Sequence, residues 1–401
     1  MSEPSMSTSL RVLVVDDTVV YRKIVCDVLS GIPNVVVVGS AANGRIALDR
    51  LKNEAIDFMI LDLEMPDLDG LATLKEARSL YPELGVVMLS GQTRLAADMT
   101  VRALELGALD FLGKGTRDSP EENRQDLLRQ LSVVMRSFVT QRSMRQLRNR
   151  MSAVQEAFRD PTSSAPAAPD RNLRGVPNGR LPATTSEPQQ RPSQVVRAAP
   201  MVRSARIDVV VIGTSTGGPQ ALAEIIPALS ADLTVPVLIV QHMPPVFTAS
   251  LAQSLNQRSP LEVMEAQADQ SVRSGQVLIA PGGRHMVVHR VTSSNGNSSV
   301  RVGLNDDPPE NSCRPSVDVL FRSVGATYGR NVLAVVMTGM GEDGMRGVKA
   351  LKERGCYCIT QDAASCTIYG MPRAVDQAGL SDESVPLRHI ASRIAHLVRT
   401  G

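Results

Sequence analysis

Two stretches of this chain alternate short apolar runs with helical patterns, and this alternation constrains the fold more than any other feature. The runs include Val12–Val15, Phe58–Leu61 and Val86–Leu89 in the first stretch, and Val209–Ile212 and Val235–Val240 in the second. Continuous runs of this kind are typical of parallel strands that are buried on both faces. The sequence therefore predicts two α/β domains: an N-terminal doubly wound five-stranded parallel sheet and a C-terminal α/β domain with a mainly parallel sheet.

A proline-rich segment separates the two stretches. Residues 161–200 hold eight of the 25 prolines and contain no isoleucine or aromatic residue, so they cannot bury enough apolar surface to offset the entropy lost on ordering. Upstream, Ser119-Pro120-Glu121-Glu122 is typical of a helix start. We therefore predict one domain at residues 10–118, a helix and Pro/Arg-rich linker at 119–205, and a second domain at 206–400.

The segment after this helix start carries two apolar stripes that are out of phase with each other. Their members are Leu127, Leu131, Val134 and Phe138 in the first stripe, and Met144, Leu147, Met151, Val154 and Phe158 in the second. A coiled-coil seam is one interpretation, but the second stripe covers fewer than three heptads. A helix packed on its own domain is the favoured interpretation.

Composition excludes several classes of protein. Charges nearly balance, with 43 Lys and Arg against 41 Asp and Glu, and aromatic residues make up 3%, which disfavours a nucleic-acid partner. No apolar run is long enough to span a bilayer, and no signal sequence is visible, so we expect no membrane insertion and a cytoplasmic location. Five scattered cysteines favour free thiols in a reducing compartment.

Polar side chains follow several strands of the first domain. Asp16 and Asp17 end the first predicted strand, Asp62 ends the third, Ser90 follows the fourth and Lys114 follows the fifth. Carboxyl ends of neighbouring parallel strands meet at one edge, where three carboxylates favour a divalent cation such as Mg²⁺. Such a set can accept a phosphoryl group on a carboxylate. Any one of these acids alone would be an ordinary loop residue.

From about Leu10 to Arg117 this pattern resembles the response-regulator receiver family, which is flavodoxin-like in fold. The resemblance implies that Asp62 is the phospho-acceptor and that Mg²⁺ is bound directly by Asp17, Asp62 and the carbonyl of Glu64, with Asp16 helping through water. It implies a switch hydroxyl at Ser90, a switch aromatic at Phe111 and a phosphate-binding lysine at Lys114. Gly115 departs from the family, which usually has proline there.

A glycine-rich turn follows the first strand of the second domain. In Gly213-Thr214-Ser215-Thr216-Gly217-Gly218, the serine lies on a tight strand-to-helix turn, where backbone N–H groups at the helix start can stabilise an oxyanion. Such a turn also suits a bound phosphate. It lacks the glycine spacing and the lysine of nucleotide-binding loops, which disfavours that alternative.

A nucleophilic serine needs a base and an orienting carboxylate. His242 follows the strand that ends at Gln241, and His285 is a second candidate for the base. For the carboxylate, Glu342 and Asp343 both follow the strand Leu333–Met337. The order Ser, His, Asp differs from that of α/β-hydrolases, so a serine hydrolase site on an unrelated sheet is expected.

Over about Asp208 to Val398 the chain resembles the chemotaxis protein-glutamate methylesterase family. The resemblance is carried by the serine turn and by Gln241-His242-Met243-Pro244-Pro245, Arg314-Pro315-Ser316-Val317-Asp318, Thr338-Gly339-Met340-Gly341-x-Asp343-Gly344 and Gly370-Met371-Pro372. It implies Ser215 as nucleophile, His242 as base, Asp343 as its orienter, and the region of Thr216 and Met340 as oxyanion support.

The same resemblance implies a substrate, partners and a mode of control. The substrate would be glutamyl methyl esters on methyl-accepting chemoreceptors, with deamidation of glutamines as a second reaction of the same acyl chemistry, and with no cofactor for the esterase. A chemotaxis histidine kinase would be the phosphodonor. The unphosphorylated receiver would cover the hydrolase cleft, and phosphorylation at Asp62 would loosen that contact.

Two alternatives of another class stay open from the residues alone. The first is a response regulator whose output binds nucleic acid through Arg142, Arg145, Arg148 and Arg150, which a solvated helix face would also explain. The second is a nucleotide- or phosphate-binding module at Gly213 to Gly218, in which Ser215 would not be needed for binding.

Overall fold

The structure is a computed structural model that describes residues 9–115, 119–157, 206–292 and 295–400, with backbone only for residue 141 and residues 144–157. Among these residues no helix is both long enough and apolar enough to cross a membrane. The predicted linker at 161–200 lies outside the described residues. The second apolar stripe of the long helix lies where side chains are not described.

The N-terminal domain is a five-stranded parallel sheet with the strand order β2-β1-β3-β4-β5. Its strands are β1 (Leu10–Val15), β2 (Val35–Ala41), β3 (Phe58–Asp62), β4 (Gly85–Ser90) and β5 (Asp110–Gly113). Its helices are α1 (Val19–Ser30), α2 (Gly44–Asn53), α3 (Gly70–Leu80), α4 (Arg94–Glu105) and α5 (Pro120–Ala157). β3 and β4 are buried along their whole length, as expected for central strands covered by helices on both faces. The predicted doubly wound sheet is confirmed.

Helix α5 begins where the sequence predicts and packs on the N-terminal sheet. The backbone N–H of Glu122 donates to the Ser119 hydroxyl oxygen at 3.4 Å. Leu131 is fully buried, and the rings of Phe58 and Phe138 meet edge to face with centroids 5.2 Å apart. The first half of α5 therefore belongs to the core of the N-terminal domain, which extends past the boundary predicted at residue 118.

The C-terminal domain contains a seven-stranded sheet with the order β14-β13-β12-β6-β7-β9-β8, in which every pairing is parallel. Its strands are β6 (Val209–Thr214), β7 (Val237–Gln241), β8 (Glu262–Glu265), β9 (Gln276–Ile279), β12 (Val332–Val336), β13 (Tyr357–Gln361) and β14 (Glu383–Val385). An antiparallel hairpin is formed by β10 (His285–Thr292) and β11 (Ser298–Asn305). The helices are α6 (Gly218–Ile225), α7 (Phe247–Asn256), α8 (Val317–Tyr328), α9 (Met345–Lys352), α10 (Met371–Gln377) and α11 (Leu387–Thr400).

The predicted mainly parallel sheet is confirmed, and the structure adds strands that the sequence did not reveal. The edge strands β8 and β14 have only four and three residues and carry charged side chains, so they lack the apolar run that marks a buried strand. The strand order places β12, β6 and β7 side by side in the middle of the sheet. Residues that follow these three strands therefore converge at one edge, where α/β sheets bind ligands.

The two domains pack against each other as parts of one compact unit. Helix α4 of the N-terminal domain packs on α6 and α7 of the C-terminal domain. Phe111 of β5 stacks on Phe247 of α7, with ring centroids 4.4 Å apart and planes 27° apart. One apolar cluster consequently continues from the first sheet through this contact into the second.

Replacing Leu131 by alanine tests whether α5 is part of the N-terminal core. We expect Leu131→Ala to lower the free energy of unfolding of that domain by about 2–5 kcal/mol, because it leaves a cavity in a fully buried position. Val139→Ala, at an exposed position of the same helix, is the matched control and should have little effect. Urea unfolding of the full chain measures both; equal midpoints would contradict the assignment.

Candidate functional site

Ser215 lies on the turn between β6 and α6, at the carboxyl edge of the second sheet. Its backbone N–H donates to the carbonyl of Thr338 at 3.0 Å, and its own carbonyl accepts from the N–H of Gly218 at 2.7 Å. Gly217 between them has φ +78°, which a side chain would disfavour. The turn is thus fixed by its neighbours while the Ser215 side chain stays partly exposed.

Buried groups at the end of β7 and in the loop after β12 hold this turn in place. The side-chain amide of Gln241 donates to the carbonyls of Ser215 at 3.0 Å and His242 at 3.2 Å, so one buried glutamine links both predicted site residues. A Cβ added to Gly339 would lie 2.8 Å from the Cβ of Ser215. Gly339 is therefore required for the close approach of the β12 loop to the serine.

His242 and Asp343 form a hydrogen-bonded pair, with Nε2 and Oδ2 2.8 Å apart. Burial lowers the pKa of His242, but hydrogen bonds to Asp343 and Cys313 outweigh burial and raise it to about 9. Burial raises the pKa of Asp343, but its hydrogen bonds from His242 and from backbone N–H groups outweigh burial and lower it to about 2. The pair is therefore an imidazolium and a carboxylate at neutral pH.

The Asp343 carboxylate is buried and accepts hydrogen bonds on both oxygens. Oδ2 accepts from the N–H of Val317 at 2.7 Å, and Oδ1 accepts from the hydroxyl of Ser316 at 2.9 Å and the N–H of Asp318 at 3.1 Å. These donors belong to the N-terminus of α8, where a negative charge is stabilised. Glu342, the other predicted candidate, is exposed, so the structure brings Asp343 and not Glu342 to the histidine.

Three further side chains take part in this cluster, and sequence reasoning assigned none of them a role. The Asn311 amide donates to both Asp343 Oδ1 and Asp318 Oδ2 at 2.9 Å. Asp318 is buried, and its carboxylate accepts from the backbone N–H groups of Gly344 and Gly347 at the start of α9. Cys313 places Sγ 3.4 Å from His242 Nδ1. The Arg314–Asp318 motif was the one sequence signal that could have pointed to these residues, but the motif by itself indicates no chemical role.

The structure separates the two candidate bases. His285 is fully buried, its Nδ1 accepts from the backbone N–H of Ser316 at 3.2 Å, and its Nε2 lies 3.2 Å from the carbonyl of Pro308. It is therefore a structural histidine. Within the described residues the Ser215 hydroxyl makes no hydrogen bond, and His242 Nδ1 faces Cys313 Sγ at 3.4 Å.

Thr216 and Met340, the predicted oxyanion residues, both contact the N-terminal domain. The Thr216 hydroxyl donates to Asp110 Oδ2 at 2.6 Å, and Met340 packs against the apolar cluster that contains Leu112 and Leu127. The backbone N–H groups of Thr216 and Met340 find no acceptor in the described part of the chain. They are therefore available for an anion at the site.

The acidic residues of the first domain converge as the strand ends predict. Carboxylate oxygens of Asp16, Asp17 and Asp62 lie within 4.8 Å of one another, and Asp16 and Asp62 are buried. Lys114 Nζ lies 2.8 Å from Asp16 Oδ2 and 2.7 Å from Asp62 Oδ2. The lysine also lies over the Tyr21 ring, 5.0 Å from its centroid.

Excess negative charge makes this pocket a fit for a divalent cation. Burial raises the pKa of Asp62 to about 6, with Asp16 and Asp17 adding to the shift and Lys114 opposing it. Three carboxylates against one ammonium leave the pocket short of positive charge, and oxygen ligands are those that Mg²⁺ prefers. Glu64, whose carbonyl the family resemblance implies as a ligand, lies two residues after the end of β3.

The predicted switch residues link this pocket to α4 and to the domain contact. The hydroxyls of Ser90 and Thr100 lie 2.7 Å apart, and Thr100 belongs to α4. Phe111 is buried and stacks on Phe247. A rearrangement at Ser90 or Phe111 would therefore alter groups that touch the second domain.

Comparisons with known proteins agree in order and extent with these two domains. The response regulator receiver domain model matches residues 12–122 and the CheB methylesterase model matches residues 210–394. A protein-glutamate methylesterase/protein-glutamine glutaminase of Desulfotalea psychrophila is 41% identical, covering 98% of this chain and 99% of its own length. One of the same name from Trichodesmium erythraeum is 36% identical, covering 96% and 97%.

Solved structures also match. The CheB methylesterase catalytic domain of Thermotoga maritima is 38% identical, covers 48% of this chain and 99% of its own, and has a TM-score of 0.46.

Removing the Asp343 charge should lower the pKa of His242. In Asp343→Asn we expect a fall of about 1–3 units, because the carboxylate that favours the imidazolium is gone. Glu342→Gln removes the adjacent exposed charge and should leave that pKa within a few tenths of a unit. Titration of the histidine ring protons by NMR measures both, and an unchanged His242 in Asp343→Asn would refute the pairing.

Proposed function

Because this chain belongs to the family of protein-glutamate methylesterases/protein-glutamine glutaminases that carry a receiver domain, we propose that it hydrolyses glutamyl methyl esters on chemoreceptors under the control of receiver phosphorylation. The observation that carries the proposal is the His242–Asp343 hydrogen bond, formed by residues that follow β7 and β12, the strands on either side of the strand that leads to Ser215. In this proposal Ser215 is the nucleophile, His242 the base and Asp343 its orienter.

The site residues divide the hydrolysis into two steps. Ser215 Oγ attacks the ester carbonyl while its proton passes to His242 Nδ1, the nitrogen that does not face Asp343. The Thr216 and Met340 N–H groups stabilise the oxyanion. His242 returns the proton to the leaving methoxide, which departs as methanol, and water then attacks the acyl-enzyme to release glutamate. A glutamine side chain passes through the same acyl-enzyme with loss of ammonia.

His242 must lose its proton before it can act as a base. Since its pKa is raised to about 9, the neutral fraction and the hydrolysis rate rise as the pH increases through that value. In this structure Nδ1 faces Cys313 Sγ at 3.4 Å, and the Ser215 hydroxyl makes no hydrogen bond to a described residue. The structure thus has the features of a resting state.

We propose that Asp62 is the phospho-acceptor and that Asp16, Asp17, Asp62 and the Glu64 carbonyl hold Mg²⁺. The bound ion supplies positive charge that offsets the phosphoryl oxygens. A carboxylate oxygen of Asp62 forms the bond to phosphorus as the donor group leaves, and Lys114 pairs with a phosphoryl oxygen. The expected phosphodonor is a chemotaxis histidine kinase. We expect the enzyme to meet this kinase and its chemoreceptor substrate in the cytoplasm.

Inhibition by the receiver is proposed to act on the oxyanion residues. Thr216 donates to Asp110, whose carboxyl pKa is raised by burial, and Met340 packs on the receiver cluster. The helices α4 and α7 add a second region of contact, in which the Ser254 hydroxyl donates to Glu105 at 2.6 Å and Arg258 pairs with the same carboxylate. The receiver therefore restrains the residues that must receive the substrate carbonyl.

Phosphorylation at Asp62 would weaken this restraint through α4 and β5. A phosphoryl group offers acceptors to the Ser90 hydroxyl, which now contacts Thr100 on α4. Phe111 is adjacent to Asp110, so a change at either residue affects both the Phe247 stack and the Thr216 hydrogen bond. The nucleic-acid-binding alternative lacks support, because the second domain matches a methylesterase model throughout.

Ser215→Ala should reduce methanol release from methylated receptor by at least about 10³-fold, because the acyl-enzyme cannot form.

Asp62→Asn should keep the basal rate and lose stimulation by a small phosphodonor. Asp49→Asn, an exposed acid of α2, is the control and should respond like the parent. Methanol release is measured with and without phosphodonor. If the phosphodonor raised methanol release by Asp62→Asn, the phospho-acceptor assignment would be wrong.

Weakening the contact between α4 and α7 should activate the unphosphorylated enzyme. Glu105→Ala removes the acceptor of Ser254 and Arg258, so we expect a several-fold higher basal rate and a smaller response to phosphodonor. Arg102→Ala, on an exposed position of the same helix, is the matched control. A basal rate in Glu105→Ala equal to that of the parent would show that this contact does not restrain the site.

A further inference from the structure

A tight turn places Cys313 at the site, and two side-chain contacts fix that turn. The backbones of Glu310 and Cys313 exchange hydrogen bonds of 3.1 and 2.9 Å. Asn311 and Ser312 between them have φ of 53° and 62°, as in a type I′ turn. Glu310 pairs with Arg322 of α8 at 2.5 Å, and the Asn311 amide is held by Asp343 and Asp318. The position of Cys313 is therefore set by the fold.

The thiol completes a chain of three groups with the histidine and the carboxylate. His242 uses Nε2 for Asp343, and its Nδ1 lies 3.4 Å from Cys313 Sγ. Because the ring is an imidazolium at neutral pH, its Nδ1–H can donate to the sulfur and favour the thiolate, which is the nucleophilic form. Ser215, by contrast, makes no hydrogen bond within the described residues.

This trio is better suited to proton transfer than to metal binding. Its ligand atoms lie within 4.8 Å of one another, but both oxygens of Asp343 already accept several hydrogen bonds from α8 and Asn311. A cation there would have to displace those donors. The cluster therefore has the arrangement of an activated thiol, with Asp343 orienting the imidazole.

We propose that Cys313 is a covalent modification site for small soft electrophiles, activated by His242, and that its modification blocks the hydrolase site. With iodoacetamide, Sγ forms a bond to the methylene carbon, the carbon–iodine bond breaks, and iodide leaves with the electron pair. The thiol proton goes to solvent, and His242 stays protonated. The added carboxamidomethyl group then lies against Nδ1, where the proton of Ser215 must go. This modification site lies beyond the proposed function.

The chain contains its own reference thiols. Cys26 and Cys313 are both partly exposed, whereas Cys356, Cys358 and Cys366 are buried. Burial, with Asp27 adding to the effect, raises the pKa of Cys26. Cys26 has no histidine partner within the described residues. The change in the ratio of the Cys313 rate to the Cys26 rate when His242 is replaced therefore reports the histidine.

The test treats the full-length chain with iodoacetamide and follows each cysteine-containing peptide by mass spectrometry over time. Cys313 should be alkylated at least 10-fold faster than Cys26. In His242→Gln that ratio should fall to about 2 or less, while Ser215→Ala should keep it. Equal rates for Cys313 and Cys26, or a fast Cys313 in a folded His242→Gln, would overturn the proposal. These readouts do not require turnover, so they remain informative if the proposed function fails.

A second arm links modification to activity. Loss of ester hydrolysis by the parent should follow the alkylation of Cys313 and no other peptide. Cys313→Ser should keep its own starting rate, whatever that is, after the same treatment. Equal fractional loss in Cys313→Ser and in the parent would show that another cysteine is responsible. If Cys313→Ser has no measurable rate, the time course of the parent decides, since alkylation without loss of activity contradicts a blocked site.

Discussion

The buried negative charge of Asp343 is the constraint on which the C-terminal site depends. A carboxylate removed from water is costly unless it is paired and hydrogen-bonded, and here the compensating donors come from the start of α8, from Asn311 and from His242. Those donors belong to three separate segments of the chain. Satisfying one charge therefore fixes the turn that carries Cys313, the position of α8 and the orientation of the imidazole together.

The negative charge in the receiver pocket, unlike that of Asp343, is only partly compensated by its neighbours. Asp62 is buried among carboxylates, so its ionised form is disfavoured and its pKa is raised to about 6. A pocket in this condition binds positive charge readily, and its contacts continue through Thr100 to α4. One domain thus contains a carboxylate that is fully compensated, and the other contains a carboxylate whose compensation depends on its ligands.

Much of this arrangement could be predicted because parallel strands deliver their carboxyl ends to one edge. Asp62 ends a strand, Asp16, Ser215 and His242 each follow one directly, and the convergence within each domain needs only the strand order. The contact of Cys313 with His242 could not be predicted, because a turn far along the chain brings them together. Edge strands β8 and β14 were missed because they are too short and too polar to show an apolar run.

The hydrogen bond between Thr216 and Asp110 has a consequence for how these proteins can diverge. The donor lies in the hydrolase domain and the acceptor in the receiver domain, so under the proposed inhibition a substitution of Asp110 would change the resting state and leave the catalytic residues unaltered. A chimaera that joined this hydrolase to an unrelated receiver would keep a phosphorylatable pocket and lose the restraint, unless the graft also carried an acceptor facing Thr216.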